Sequence, residues 1–355
     1  MKKLNKYYIL FIMPLLVFGG CSSAVNFPDY SSGIIPLYER PPEWKDPAAK
    51  ENVIKAYSQY LTGKKIFLDP GHGGTDRKNK SAGGKIVEAD VNLRVALYLK
   101  HYLEEAGAVV YMSRQSDSTV DLKSRSVMAN KSGADIFISI HHNAGGNAQD
   151  YYSDYTSTYY HSTEDQFNYE PCDRDLARYI QRDLAYAMRT SGGLGSFDGT
   201  YSDYINYPGE GYAVLRNTKI PAVLVECSFH TSRLEEARLG FGEFNDIQAW
   251  GIFKGIGKYF RAGIPQIIFE DNLSVLKEDS TRIFFTLKDK SGINQKTIKV
   301  FCDSLSVPFT YNDVIGLLEV PIYNLTAGIH TIRVIVANKN GNYSFPYYKE
   351  ITINR

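Results

Sequence analysis

The spacing of hydrophobic positions changes along the 355-residue chain and divides it into regions. From Lys65 onward, short apolar runs such as KIFLD, DIFISIH, AVLR and PAVLVEC alternate with segments whose apolar residues recur every three or four positions. The short runs predict strands and the longer segments amphipathic helices, of which 89–106, 173–190 and 244–263 are the clearest. Strands that alternate with helices predict an α/β fold over 64–263, with a mixed, mostly parallel sheet flanked by helices.

The helical pattern stops after Gly263. The rest of the chain holds six strand-like runs without a helical segment between them: IIFED, TRIFFTLKD, TIKVFCD, LLEVPI, HTIRVIVAN and YKEITI. Asn340 and Gly341 lie at the centre of the segment NKNGN, and this pair is typical of tight hairpin turns. Short strands joined by turns over 266–355 predict a C-terminal immunoglobulin-like β-sandwich.

The N-terminus has the character of an export signal. A lysine-rich start and the apolar run YYILFIMPLLVF precede GGCSS, so residues 1–21 resemble a bacterial lipoprotein signal with Cys21 as the lipidation site. An ordinary signal peptide with an incidental cysteine is the alternative, and either one exports the protein. Residues 22–63 are expected to form a polar tether followed by a short helix. Ser22, in place of an aspartate, favours a periplasmic lipoprotein anchored in the outer membrane.

Composition narrows the possible partners. Lys and Arg total 40 against 39 Asp and Glu, so the chain has no positive excess that would attract nucleic acid, and no nucleic-acid partner is expected. The four cysteines include no Cys-x-x-Cys pair, which argues against a disulfide framework and against a cysteine zinc knuckle. The membrane is expected as a partner only through the lipid on Cys21.

Candidate chemistry lies where the strands of the α/β region end. KIFLDPGH ends at His72, DIFISIHH ends at His141 and His142, AVLVE ends at Glu226, and Glu88 precedes the first long helix. Ligands of such sheets bind beyond the carboxyl ends of the strands, so these segments are expected to converge. Two imidazoles with one carboxylate form a catalytic zinc set that leaves a position for water. A carboxylate at the end of a buried strand is costly without a purpose, so Glu226 is the candidate proton acceptor.

Four motifs in this order carry a resemblance to a known family. FLDPGHGG, VEADVNL, GADIFISIHHNA and VLRNTKIPAVLVECSF resemble the zinc-dependent N-acetylmuramoyl-L-alanine amidases, called amidase 3, which act on bacterial peptidoglycan. The resemblance covers about 65–263. It implies that His72, Glu88 and His141 bind Zn²⁺ and that Glu226 is the catalytic residue. It also implies hydrolysis of the amide between the lactyl group of N-acetylmuramic acid and L-alanine of the stem peptide.

Three further residues are candidate substrate contacts. Arg216 is suited to a stem-peptide carboxylate or a lactyl oxygen, and a structural ion pair is the alternative. His142 stands where the family has a small residue, and it is either a substrate contact or a partly exposed side chain that faces away from His141. Asn143, the next residue, is the third candidate.

Two other functions stay open beside the amidase. One is another zinc hydrolase of peptidoglycan, either a stem peptidase or a deacetylase. The other is a non-catalytic wall-binding lipoprotein, although the presence of all four motif residues favours an active enzyme. The C-terminal domain is expected to bind peptidoglycan, to pack on the enzyme or to hold a protein partner.

Overall fold

In a computed structural model of the protein, the described residues are 38–147, 150–163, 169–192, 198–277 and 280–354. The predicted signal, Cys21 and most of the predicted tether lie outside these ranges. The helices are α1 Pro47–Leu61, α2 Glu88–Glu105, α3 Leu122–Ser132, α4 Pro171–Met188, α5 Ala213–Arg216, α6 Arg233–Leu239 and α7 Gly242–Arg261. None of these helices combines the length and apolar character needed to cross a membrane, within the part of the chain that is described.

One mixed sheet forms the centre of the α/β region. Its strands are β1 Lys65–Pro70, β2 Val109–Met112, β3 Ile136–Asn143, β4 Ser157–Tyr160, β5 Thr200–Ser202 and β6 Ala222–Phe229, in the order β2-β1-β3-β6-β4-β5. The first four in this order are parallel, and β4 runs antiparallel to β6 and parallel to β5. The predicted mixed, mostly parallel sheet flanked by helices is therefore confirmed.

Alternating residues of each strand serve the two faces of the sheet. In β3, Ile136, Ile138 and Ile140 join the large core cluster that includes residues of α2, α4 and α7. Phe137, between them, joins a smaller cluster with residues of α3 and α5 on the opposite face. The carboxyl ends of β1, β3 and β6 lie side by side, and His141 of β3 pairs in register with Glu226 of β6.

Two features of the α/β region differ from the sequence expectation. The run AVLR is helix α5, whereas a strand was predicted. A run of four residues, three of them apolar, is too short for spacing to separate helix from strand. Asn217 Nδ2 donates to Ala213 O and completes the turn. Helix α6 was not predicted. It begins where Ser232 accepts a hydrogen bond from Glu235 N in a side-chain cap.

The end of the predicted tether belongs to the folded body. The rings of Trp44 and Trp250 pack edge to face with centroids 6.0 Å apart, and the rings of Tyr57 in α1 and Phe253 do the same at 5.8 Å. Arg40 Nε lies 2.6 Å from a carboxylate oxygen of Glu243. Residues 38–61 therefore cover helix α7, because apolar side chains in this polar segment find partners on that helix.

The C-terminal region consists of two four-stranded antiparallel sheets. Its strands are β7 Gln266–Phe269, β8 Thr281–Lys288, β9 Ile293–Cys302, β10 Leu305–Ser306, β11 Thr310–Asn312, β12 Leu317–Ile322, β13 Gly328–Asn338 and β14 Tyr348–Ile353. The sheet orders are β10-β9-β13-β14 and β11-β12-β8-β7. Their apolar faces share one core cluster. The six predicted strands are present, and β10 and β11 are two short additional strands.

The hairpin after β13 joins this region to the α/β region. Asn342 Nδ2 donates to Tyr259 O and Gly263 O, both at 3.0 Å, and Asn338 Nδ2 donates to Ala262 O at 2.9 Å. Asn340 Nδ2 also donates to Ala262 O at 2.9 Å. The asparagines of the NKNGN segment therefore satisfy carbonyls at the C-terminal end of α7, which have no partner within the helix.

Candidate active site

The loop after β1 places His72 above the sheet edge. A Cβ atom at Gly71 would lie 2.1–2.6 Å from ring atoms of His141, so only glycine leaves room for that ring. His72 itself adopts a left-handed backbone conformation with φ 57°. Two buried guanidinium groups hold this conformation, since Arg114 Nη2 donates to Gly71 O at 2.8 Å and Arg125 Nη2 donates to His72 O at 2.9 Å.

Three of the predicted site residues converge at this point. Nε2 of His72 lies 3.1 Å from Glu88 Oε2, and Nδ1 of His141 lies 3.0 Å from Glu88 Oε1. The two imidazole rings are nearly perpendicular, with centroids 4.9 Å apart. One ligand atom from each of the three residues lies within 4.8 Å of the other two. The loop after β1, the N-terminal end of α2 and strand β3 each supply one of these residues.

Glu88 is held as a buried anion at the first turn of α2. Burial favours the neutral acid, but the hydrogen bonds with His141 and His72 outweigh it and hold the pKa of Glu88 well below its usual range. Asn79 Nδ2 donates to Oε2 at 2.7 Å, and Asn92 Nδ2 donates to Oε1 at 3.2 Å. Both oxygens of this carboxylate are thus fixed in place.

The donor atoms fit a divalent metal ion. Two imidazole nitrogens and a carboxylate oxygen are ligands typical of zinc. Nδ1 of His72 lies 2.7 Å from Asp76 Oδ2, which leaves Nε2 of the same ring for the cluster. A carboxylate on the second nitrogen is the usual outer partner of a metal-binding histidine. Burial lowers the pKa of His72, but its hydrogen bonds with Glu88 and Asp76 raise it to about 9, so the pocket attracts positive charge.

Glu226 stands beside this cluster with a different environment. Its register with His141 on the neighbouring parallel strand puts both side chains on the same face of the sheet. Oε2 of Glu226 is buried and has no hydrogen-bond partner in the described part of the chain. Burial, and then the charge of Glu88, raise the pKa of Glu226 well above its usual range, while His72 opposes the shift. Such a carboxyl group can hold a proton at neutral pH and exchange it with a neighbour.

The structure corrects the expectations for His142. Its side chain is 2% exposed and faces the helix layer, so it neither contacts substrate nor lies partly exposed. Nδ1 lies 2.8 Å from Asn92 Oδ1, and burial lowers the pKa of His142 to about 3. As predicted, the side chain of His142 points away from that of His141. The partner on α7, Gln248, lies too far along the chain for sequence spacing to reveal it.

The other two candidate contacts lie at the periphery. Arg216 ends α5, where Nη1 donates to Gly211 O at 3.3 Å and Nη2 lies 3.7 Å from a carboxylate oxygen of Glu210. These contacts favour the structural alternative for Arg216. Asn143 ends β3, and its Oδ1 accepts a hydrogen bond from Ala144 N at 2.8 Å. A substrate contact by Asn143 stays a prediction.

A second group of metal-binding residue types lies in the C-terminal region. One potential ligand atom from each of Cys302, Asp303 and His330 lies within 4.8 Å of the other two. Both ring nitrogens of His330 already have partners, since Nδ1 lies 2.5 Å from Asp303 Oδ2 and Nε2 lies 2.8 Å from Thr326 O. The hydrogen bond with Thr326 O has the larger effect and the one with Asp303 the smaller, and both raise the pKa of His330. Asp303 and His330 therefore form a hydrogen-bonded pair between the end of β9 and the start of β13, and neither ring nitrogen of His330 is left for a metal.

Several residues that support the site were not predicted from the sequence. Asp76 and Asn79 lie four and seven residues after His72. Only their closeness in sequence to the FLDPGHGG motif could have indicated a role. Asn92 is part of the quoted motif VEADVNL and lies one helical turn after Glu88, a spacing that puts both on one face of α2. Arg114 and Arg125 are charged residues that fold inward, which hydrophobic periodicity does not predict.

The sheet, the glycine bend and the imidazole–carboxylate cluster together define a hydrolase built on a mixed α/β sheet. Residues 66–258 match the model of the Amidase_3 family, described as N-acetylmuramoyl-L-alanine amidase. The chain belongs to this family, as its motifs indicated. Its function is therefore that of an N-acetylmuramoyl-L-alanine amidase, a hydrolase acting on peptidoglycan.

Curated relatives agree with this family. The chain is 33% identical over 221 residues to the germination-specific N-acetylmuramoyl-L-alanine amidase of Bacillus subtilis, covering 58% of this chain and 84% of the relative. It is 31% identical over 215 residues to the N-acetylmuramoyl-L-alanine amidase LytC of the same organism, covering 61% and 39%. Among solved structures, an N-acetylmuramoyl-L-alanine amidase from Clostridium difficile 630 has a TM-score of 0.49 and 29% identity, covering 57% of this chain and 99% of that one.

Proposed function

We propose that the amidase is zinc-dependent, with His72, Glu88 and His141 as the zinc ligands and Glu226 as the catalytic carboxylate. The observation that carries this proposal is the convergence of the three ligand atoms within 4.8 Å. Glu226, in register with His141, supplies a second carboxyl group beside them. The bond cleaved is the amide between the lactyl group of N-acetylmuramic acid and L-alanine of the stem peptide.

The roles of the protein groups follow from their environments. A zinc ion, when bound, lowers the pKa of a coordinated water and polarises a substrate carbonyl. Glu226 lies in register with His141 beside the ligand cluster, and the charge of a bound metal ion would favour its carboxylate form. In that form it accepts the proton of the attacking water and delivers it to the leaving amine. Glu88 stays anionic throughout, and Asp76 orients the ring of His72.

Zinc counting and product analysis test this function. The protein without residues 1–21 is assayed for bound zinc and then digests purified peptidoglycan with and without a chelator. We expect about one zinc per chain, in line with a single open catalytic site, and chelator-sensitive release of whole stem peptides with free L-alanine amino termini. Zinc binding with cleavage inside the stem, or with deacetylation of intact glycan, would establish the alternative hydrolase. Binding without cleavage by fully zinc-loaded protein would favour the wall-binding alternative.

We also propose that the protein is exported and anchored through lipid on Cys21, on the periplasmic side of the outer membrane. The lipoprotein-like signal over 1–21 and Ser22 support this, and residues 22–63 then connect the lipid to the catalytic domain at 64–263. Labelling with a tagged fatty acid tests the anchor. The label should appear on the wild-type protein and be lost in Cys21→Ser, and unlabelled wild-type protein in the soluble fraction would contradict it.

The C-terminal domain at 266–355 is proposed to be an immunoglobulin-like sandwich that holds a protein partner or peptidoglycan. Two antiparallel four-stranded sheets that share one apolar core support the sandwich. An experimental structure of the full chain tests its strand connections. Sedimentation of the full-length Glu226→Gln variant with insoluble peptidoglycan tests the binding, and comparison with a catalytically silent protein that lacks wall affinity sets the baseline.

A further inference from the structure

A continuous chain of buried hydrogen bonds runs behind the active site and ends on Glu88. It connects helix α7 and strand β3 to the first turns of helix α2. Its members, in order, are Arg94, Asn245, Gln248, His142, Asn92 and Glu88. From Asn245 to Glu88, every side chain in this series of hydrogen bonds is 2% exposed or less. Water therefore cannot replace a hydrogen-bond partner that a substitution removes.

The chemistry of the two ends fixes which atom donates and which accepts in every hydrogen bond of this series. At one end Arg94 Nε donates to Asn245 Oδ1 at 2.8 Å, and a guanidinium group has no acceptor. The amide of Asn245 then donates to Gln248 Oε1 at 3.2 Å. The Gln248 amide nitrogen faces Nε2 of His142 at 3.1 Å, so this ring nitrogen must accept.

The opposite end imposes the same direction. The carboxylate of Glu88 only accepts, and Asn92 Nδ2 donates to it and to Gly71 O, both at 3.2 Å. The Asn92 amide nitrogen is therefore directed at the site, and its Oδ1 must accept from His142 at 2.8 Å. Nδ1 of His142 consequently carries the ring hydrogen. Both ends require the same tautomer of His142, and each amide in the chain has only one satisfactory orientation.

We propose that Gln248 and His142 are positioning residues for Glu88. They act through Asn92, whose amide they orient so that it donates to the Glu88 carboxylate and to the carbonyl of Gly71, the residue before His72. The inference rests on the proposed role of Glu88 as a zinc ligand. Outer partners of metal ligands set the direction and charge of the ligand atoms, and their loss weakens metal binding.

Loss of the Gln248 amide has a defined consequence. Nε2 of His142 then has no donor facing it, and the alternative tautomer, with hydrogen on Nε2, is no longer opposed from that side. In that tautomer the lone pair of Nδ1 would face Oδ1 of Asn92, and their repulsion turns the Asn92 amide away from Glu88. Glu88 Oε1 would keep its hydrogen bond from the backbone of His142 at 3.1 Å but would lose the one from Asn92.

Zinc affinity of the metal-free full-length protein, measured by competition with a chromogenic chelator, tests the proposal. Gln248→Leu removes the amide and keeps the apolar volume. We expect zinc affinity to fall about 10-fold, the lower end of the effect of outer-shell partners. Gln181→Leu is the matched control, because Gln181 is 1% exposed and pairs with Thr158 of β4, a strand that supplies no residue to the cluster. Equal zinc affinities in the two variants, both folded by circular dichroism, would overturn the proposal.

The tautomer of His142 in the wild-type protein gives a second measurement. Nitrogen-15 NMR of the metal-free wild-type protein should show the ring hydrogen on Nδ1, with the signal assigned by its loss in His142→Gln. A hydrogen on Nε2 would refute the chain. This result does not depend on which bond the enzyme cleaves, so a failure of the proposed reaction and a failure of this inference are distinguishable.

Discussion

Replacement of Glu226 by glutamine separates catalysis from stability in this protein. The change removes the only carboxyl group at the cluster, among the described residues, that has a buried oxygen without a hydrogen-bond partner. Glu88 does not replace it, because both of its oxygens are occupied by donors and its pKa is held well below the usual range, after the opposing effect of burial. We therefore expect turnover to fall sharply while the fold and the metal ligands are retained.

The size of the loss follows from the role assigned to Glu226. General acid–base catalysis by a positioned side chain contributes roughly 10²- to 10⁴-fold. Within the described ranges, Asp76 is engaged with His72 and Glu88 with its own donors, so neither replaces Glu226. The upper half of that range is therefore expected, which corresponds to a barrier increase of about 4–5 kcal/mol. The assay is release of stem peptides from purified peptidoglycan under zinc-saturated conditions. Glu210→Gln, at an exposed carboxylate near Arg216, is the matched control and should retain wild-type turnover.

The same substitution should change stability in the opposite direction. Because burial and Glu88 raise the pKa of Glu226, the folded protein binds a proton that the unfolded chain releases near pH 4.3. The stability that this group contributes is complete below about pH 4.3 and is lost as the pH rises toward the folded-state pKa. In chelator, Glu226→Gln should thus be at least as stable as wild type at pH 7 in urea unfolding. Near-wild-type turnover, or a marked loss of stability, would refute the assignment.

Three further substitutions test the supporting structure. Asp76→Asn weakens the orientation of His72 and should lower zinc affinity about 10- to 100-fold in chelator competition, and an unchanged affinity would contradict its role. Gly71→Ala places a methyl group against the ring of His141, so zinc binding and peptide release should both fall at least 10-fold, as for loss of an outer partner. Asn342→Ala removes two hydrogen bonds at the end of α7 and should cost about 1–3 kcal/mol in urea unfolding, and a loss within experimental error would show that the hairpin does not secure the helix.

Much of the catalytic fold was predictable because its strands are apolar runs bounded by glycine and proline. KIFLD and DIFISIH became neighbouring parallel strands, and the polar residues at their ends met at one edge. The alternation along β3 also predicted that His142 would face away from His141. Its burial was not predictable, since it depends on Gln248, which lies on a helix 106 positions later in the chain. Local spacing reports the face that a residue occupies and leaves open what covers that face.

Helix α7 shows why the outer segments were the least predictable. Residues 38–61 pack on it through Trp44 and Tyr57, and the asparagine hairpin satisfies the carbonyls at its C-terminal end. The sequence of α7 explains both contacts only in retrospect. Gly257 leaves no room for a side chain beside the ring of Tyr57, and a Cβ atom there would lie 2.6 Å from it. Helix α7 also carries Asn245 and Gln248. The same helix therefore contacts the outer segments and supplies two members of the hydrogen-bond series that ends on Glu88.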